Sequence, residues 1–127
     1  MVERRLAVLT GARRGLGLAT GEALARLGHH VVLTARREAD AVAAAQRLAA
    51  AGIAAAGRAL DVADDGSASA FFAWLTAERG RTDVLVNNAG HIFEGKCSFA
   101  PERAFDVPAS ILATAFEANT LGAYRTQ

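Results

Sequence analysis

Thr10-Gly11-Ala12-Arg13-Arg14-Gly15-Leu16-Gly17 is the stretch whose reading decides how this chain folds. Before it stands the short apolar run Leu6-Ala7-Val8-Leu9, bounded like a buried strand. After it Leu16, Leu18, Ala19, Ala23, Leu24 and Leu27 recur at helical spacing. The glycines therefore fall where a strand over Leu6–Thr10 turns into a helix over Gly15–Leu27. A helix start carries N–H groups without intrahelical partners and the positive end of a dipole, which together suit a phosphate. With no side chains at Gly11, Gly15 and Gly17, a pyrophosphate can come close to the backbone. The loop reads as a dinucleotide site, set against the plain alternative of a tight structural turn.

Working outward, strand and helix signals alternate, which predicts βαβ units and a parallel sheet. Gly28 stops the first helix, and Val31-Val32-Leu33-Thr34 forms a second strand. A second helix is expected over Glu38–Ala51 with Gly52 as its stop, then a weaker strand over Ile53–Leu60 ending at Asp61. Asp64 or Asp65 caps a third helix over Ser67–Arg79, whose Ala68, Phe71, Phe72 and Leu75 make a core-facing stripe. Asp83-Val84-Leu85-Val86-Asn87 is a fourth strand and leads into Asn88-Ala89-Gly90. Residues 91–107 lack a period and read as a surface loop. One last helix is expected from Pro108 to the end.

The 127 residues suffice for one domain with a single core, and half of them are apolar. A formal net charge of +1 gives no basic surplus for nucleic acid. Cys97 stands alone, so neither a disulfide framework nor a thiolate zinc cluster is available, which fits a reducing cytoplasm. His29, His30 and His91 have no partners at metal-ligand spacing, so no metal is expected. The apolar run after Met1-Val2-Glu3-Arg4-Arg5 is too short to be expected as a signal peptide, no apolar run reaches membrane-spanning length, and no membrane partner is expected.

The glycine spacing is Gly-x-x-x-Gly-x-Gly rather than Gly-x-Gly-x-x-Gly, and gains its weight from the strand and helix around it. The end of the second strand bears on which cofactor binds. NAD sites place an acid there for the ribose 2′-hydroxyl. Here Thr34-Ala35-Arg36-Arg37 supplies guanidinium groups, which grip a 2′-phosphate with charge-assisted bonds. Arg13 and Arg14 add positive charge from the glycine loop. NADP(H) is expected over NAD(H), with Arg36 the first contact and Arg14 the second.

Thr10-Gly11-x-x-x-Gly15-x-Gly17, Asp61-Val62, Asn87-Asn88-Ala89-Gly90 and Asn119 together resemble the short-chain dehydrogenase/reductase family, in order and along the whole chain. Val31 to Arg36, with Arg14, looks most like its NADPH-dependent carbonyl reductase branch. The resemblance implies a Rossmann-type α/β fold with parallel strands in the order 3-2-1-4 and helices on both faces. It implies that Gly11, Arg14, Gly15, Leu16 and Gly17 line the pyrophosphate and adenosine-ribose region, and that Arg36 holds the 2′-phosphate. Asp61 would bond the adenine amino group and Val62 flank the ring. Asn87, Ala89 and Gly90 would pass under the cofactor, with Asn87 also tying strands together. Asn119 would position a relay water through its backbone carbonyl. The implied substrate is a small carbonyl compound or alcohol, and a homo-oligomer is expected.

The family's remaining catalytic groups, a Ser and a Tyr-x-x-x-Lys set, have no counterpart here. Tyr124 follows Asn119 too closely and on the same expected helix to serve as that Tyr. The chain is therefore expected to be the amino-terminal, cofactor-binding part of an oxidoreductase, inactive by itself. The other class of reading is a nucleotide-binding or interaction module without turnover.

Overall fold

β1 (Leu6–Leu9) is buried along its whole length and runs between two parallel neighbours, β2 (His30–Ala35) and β4 (Val84–Val86). These coordinates are a computed structural model that describes residues 4–91 and 108–127. β3 (Ala56–Ala59) pairs in parallel with β2 and completes a four-stranded sheet in the order β3-β2-β1-β4. Val8 lies opposite Val32 on one side and Leu85 on the other. This is the expected Rossmann-type order.

Because side chains alternate along a strand, β1 feeds two cores. Leu6 and Val8 join Val32, Leu60, Phe71 and Leu75 beneath α3 (Asp65–Arg79). Ala7 and Leu9 join Val31, Leu33, Ala44 and Leu48 beneath α1 (Gly15–Arg26) and α2 (Glu38–Ala50). Burial on both faces explains why the strands read as continuous apolar runs. Small residues let the helices sit close. A Cβ on Gly21 would lie 2.5 Å from Leu33, and one on Gly57 would lie 2.2 Å from the Ala41 carbonyl oxygen.

The structure adjusts several expected boundaries. β2 gains His30 and Ala35, whereas β3 keeps four residues of the eight expected. Only Ala56–Ala59 lie in register with Val32–Ala35; Ile53 instead packs into the core beneath α2. Asp64, not Asp65, caps α3, its carboxylate accepting from the Ser67 N–H at 2.6 Å. The final helix is not uniform. α4 (Ala109–Phe116) passes through a π-helical turn, Glu117–Leu121, into the short α5 (Gly122–Arg125). Gly122 lets this segment sit close to the turn after β3, since a Cβ there would stand 2.7 Å from Val62 Cγ2. The expected surface loop is described only at His91, and Cys97 lies outside the described residues. No described helix is long and apolar enough to cross a membrane.

Candidate cofactor site

β1, β2 and β4 all deliver their carboxyl ends to one cleft of about 940 Å³. Such a crevice, outside the strand ends and beside the first helix start, is where open α/β sheets take ligands. Its floor is the turn after β1. Thr10 is 1 % exposed, and its hydroxyl oxygen accepts the N–H groups of Asn88 and Ala89, each at 3.0 Å. The Ala12 N–H donates to the Thr34 carbonyl at 2.7 Å, while the Thr34 hydroxyl donates to the Leu9 carbonyl at 3.0 Å. The turn is thereby bolted to both neighbouring strands before any ligand arrives.

Each glycine of the loop has a different physical task. Gly11 takes φ 61° and passes so close to Ala89 that a Cβ would sit 2.8 Å from its Cα. Gly15 takes φ 59° with open space where a Cβ would be, so its surface is available to a ligand. Gly17 faces inward, where a Cβ would lie 2.5 Å from Asn88 Nδ2 and 2.9 Å from Ala12 Cα. Arg14, at the α1 N-cap, makes no side-chain cap, and the first turn holds no acid. The N–H groups that open α1 thus point at the cleft with no carboxylate in that turn to compete for an anion.

Gly11, Arg13, Arg14, Gly15 and Leu16 line one wall, with Leu16 81 % exposed. Arg36 and Arg37 line the wall beyond β2, beside Asp40, while Asp61 and Val62 form the third. Asp61 Oδ1 accepts from the Ala63 N–H at 3.0 Å, shaping the turn that presents Val62. Ala89, Gly90 and His91 close the cleft beneath β4. Gly17, Asn87 and Asn119, all expected site residues, do not line it.

The strand tie expected of Asn87 is made by Asn88. Asn88 Nδ2 donates to the Thr10 and Gly11 carbonyls, while Asn87 Oδ1 accepts from the Thr126 hydroxyl at 2.6 Å. β4 ends at Val86, and past that point the chain turns the second asparagine toward the glycine loop. Asn119 lies in the π-helical turn and brackets His91: its Oδ1 accepts the His91 N–H at 2.7 Å and its Nδ2 donates to the His91 carbonyl at 2.8 Å. Arg125 pins this turn from behind, bonding Asp65, Glu117 and the Val62 carbonyl.

Charge is arranged around Arg37 and Asp40, which the sequence did not single out as a pair. Arg37 Nε and Nη2 donate to the two Asp40 oxygens at 2.9 and 3.1 Å. The Arg37 hydrogen bond holds the Asp40 carboxyl below the usual carboxylate range against some loss of water, with Arg13 and Arg36 adding attraction. Arg47, on α2, donates to the Arg13 carbonyl and so anchors the glycine loop from the far side. Among the described residues no group of three or more His, Cys, Asp or Glu could hold a metal ion.

The residue pattern and this geometry agree with what the chain is similar to. A short chain dehydrogenase family model matches residues 5–125. Carbonyl reductase (NADPH) 3 of Mus musculus is 44% identical over 90 residues, 70% of this chain and 32% of that protein. The 3-oxoacyl-acyl-carrier-protein reductase of Escherichia coli is 42% identical over 88 residues, 69% of this chain and 35% of that protein. Among solved structures, a metagenomic short-chain oxidoreductase in complex with NADP superposes with a TM-score of 0.81 at 34% identity, covering 96% of this chain and 52% of that one. An actinorhodin polyketide ketoreductase variant with NADPH gives a TM-score of 0.85 at 30% identity, covering 99% and 46%. The chain spans about a third of the length of these curated relatives and about half of these structures. By sequence and by fold, the chain belongs to the short chain dehydrogenase family.

Proposed function

We propose that this chain is the NADP(H)-binding part of an oxidoreductase that exchanges hydride with a ketone, an aldehyde or a secondary alcohol. The observation that carries the reading is the wall after β2, where the strand end supplies Arg36 and Arg37 and the acid lining that wall, Asp40, is paired with Arg37. Glu38, the first acid beyond it, is turned away: its Oε2 accepts the Ala59 N–H at 2.6 Å and its Oε1 pairs with Arg58 at 3.3 Å. A 2′-phosphate entering there meets guanidinium charge, which suits it better than a 2′-hydroxyl. The relatives named for NADPH and the neighbours holding NADP or NADPH support the same choice.

In this reading the N–H groups opening α1 at Gly15, Leu16 and Gly17 take the pyrophosphate, with Gly11 giving it room. Arg36, Arg14 and Arg13 take the 2′-phosphate. Asp61 accepts from the adenine amino group and Val62 packs on the ring, while Ala89 and Gly90 support the ribose beyond. When bound, the nicotinamide supplies or accepts the hydride. In this reading the Asn119 carbonyl, in the π-helical turn, would hold a relay water.

The chain carries one Tyr and one Lys, Tyr124 and Lys96, in the wrong order for a Tyr-x-x-x-Lys pair, and Tyr124 is 73 % exposed. We therefore assign turnover to a longer protein that supplies the Ser, Tyr and Lys, with this chain alone binding without turnover. The test is NADPH oxidation by the full-length protein across a panel of small carbonyl compounds. Oxidation that disappears when the Tyr of that set becomes Phe supports the assignment. Cofactor binding with no turnover on any carbonyl compound would favour a non-catalytic nucleotide module.

A further inference from the structure

The two acids at the start of α2 are treated differently by the fold. Glu38 is bound to β3 and does not line the cleft, whereas Asp40 does. Arg37 occupies the α2 N-cap in extended conformation, and its side chain runs along the first turn to grip both Asp40 oxygens. That fork is the arrangement a guanidinium offers a phosphate. Arg37 is 79% exposed at its side chain and Asp40 only 28%, so the arginine is the partner able to swing away. Asp40 lies in the first turn of α2, where a negative charge is favourable, and within the field of Arg13 and Arg36.

Resting on the NADP(H) reading above, we propose that Asp40 is a specificity-determining residue: it competes with a ribose 2′-phosphate for Arg37 and so limits the preference for phosphorylated over unphosphorylated ribose. A phosphate arriving at this wall finds the fork of Arg37 engaged and meets one like charge. With Asp40 made neutral, Arg37 turns to the phosphate. The neutral variant therefore discriminates more strongly than the natural chain.

The experiment titrates this chain with adenosine 2′,5′-bisphosphate and with 5′-AMP by calorimetry, and reads the ratio of the two affinities. A ratio between two ligands of the same folded state is insensitive to how much protein is folded. Asp40→Asn and Asp40→Ser, which make the same change of charge, are each expected to raise the ratio by about threefold. The gain is expected to vanish in the Asp40→Asn/Arg37→Gln double variant relative to Arg37→Gln. An unchanged or lowered ratio in both neutral variants overturns the proposal, as does a gain that persists without Arg37. A natural chain with no preference for the bisphosphate overturns the NADP(H) reading and this proposal with it.

Discussion

Asn88 Nδ2 donates to the main-chain oxygens of Thr10 and Gly11, at 3.1 and 3.0 Å, and so fixes the phosphate-facing loop to the end of β4. Gly17 is glycine because this amide occupies the space a Cβ would need. Asn88→Ala leaves two half-buried carbonyls without their donor and is expected to destabilise the chain by ~1–2 kcal/mol in urea unfolding. It should also speed hydrogen exchange at Ala12. Asn87→Ala, which removes an acceptor of the Thr126 hydroxyl, is expected to leave exchange at Ala12 unchanged. An equal effect of the two on that exchange would contradict the division of labour between the asparagines.

Glycine substitutions separate the ligand surface from the packing. Gly15→Ala meets no neighbour and carries only the left-handed backbone cost, about 1 kcal/mol, while placing a methyl group where the phosphate would approach. Gly57→Ala drives a Cβ into the Ala41 carbonyl and must push α2 off β3. Thermal unfolding with NADPH titration is expected to show Gly15→Ala weak in binding and near-native in stability. Gly57→Ala should be the less stable of the two by about 1–3 kcal/mol.

Asp83 links pH to the stability of the sheet edge. Its Oδ2 accepts the Leu6 N–H at 2.7 Å, and that bond, with Arg81 and Arg5 nearby, holds its carboxyl below the usual carboxylate range despite some loss of water. A carboxyl depressed in the folded state contributes stability above its unfolded pKa, about 3.9, and that contribution is lost as pH falls through the folded value. Asp83→Asn is therefore expected to lower stability near neutrality and to flatten the acid limb of a stability–pH profile. A parallel downward displacement of the whole profile would contradict this role.

β4 pairs with β1 on one side only and, like β3, is an edge of the sheet among the described residues. Leu112, Phe116 and Tyr124 of the last helical segments are more than half exposed. An unpaired edge beside apolar surface favours association. The 127-residue chain is expected to scatter light as a dimer or larger species, and a monodisperse monomer would contradict this.

The parts of this fold legible in the sequence are those with a clean period. Leu6–Leu9 and Val31–Thr34 read as strands because both their faces are buried. α1 forms where the Leu16 to Leu27 spacing predicts a helix, but it turns Gly17 and Gly21 to the core and leaves Leu16 and Leu27 exposed. β3 is shorter than its sequence predicts because Ile53-Ala54-Ala55 resembles the Ala-rich strand it precedes, and only pairing with Val32–Ala35 decides where the ladder starts and stops. The π-helical turn left no local mark: Glu117–Leu121 keeps ordinary helical composition, and its anchor, His91, lies 28 residues away from Asn119. Asn88 escaped because alternation ends with β4, and nothing before that point says which asparagine turns inward. The pairing of Asp40 with Arg37 has no mark in the sequence and is set by how the α2 N-cap folds.

The most direct measurement of the central claim is calorimetric titration of this chain with NADPH and with NADH, before and after Arg36→Asp. The account predicts that NADPH binds more tightly, and that Arg36→Asp weakens NADPH by about tenfold or more while changing NADH little, the loss of charge-assisted bonds to a phosphate. Failure to bind either nucleotide, or equal losses for both, would contradict it.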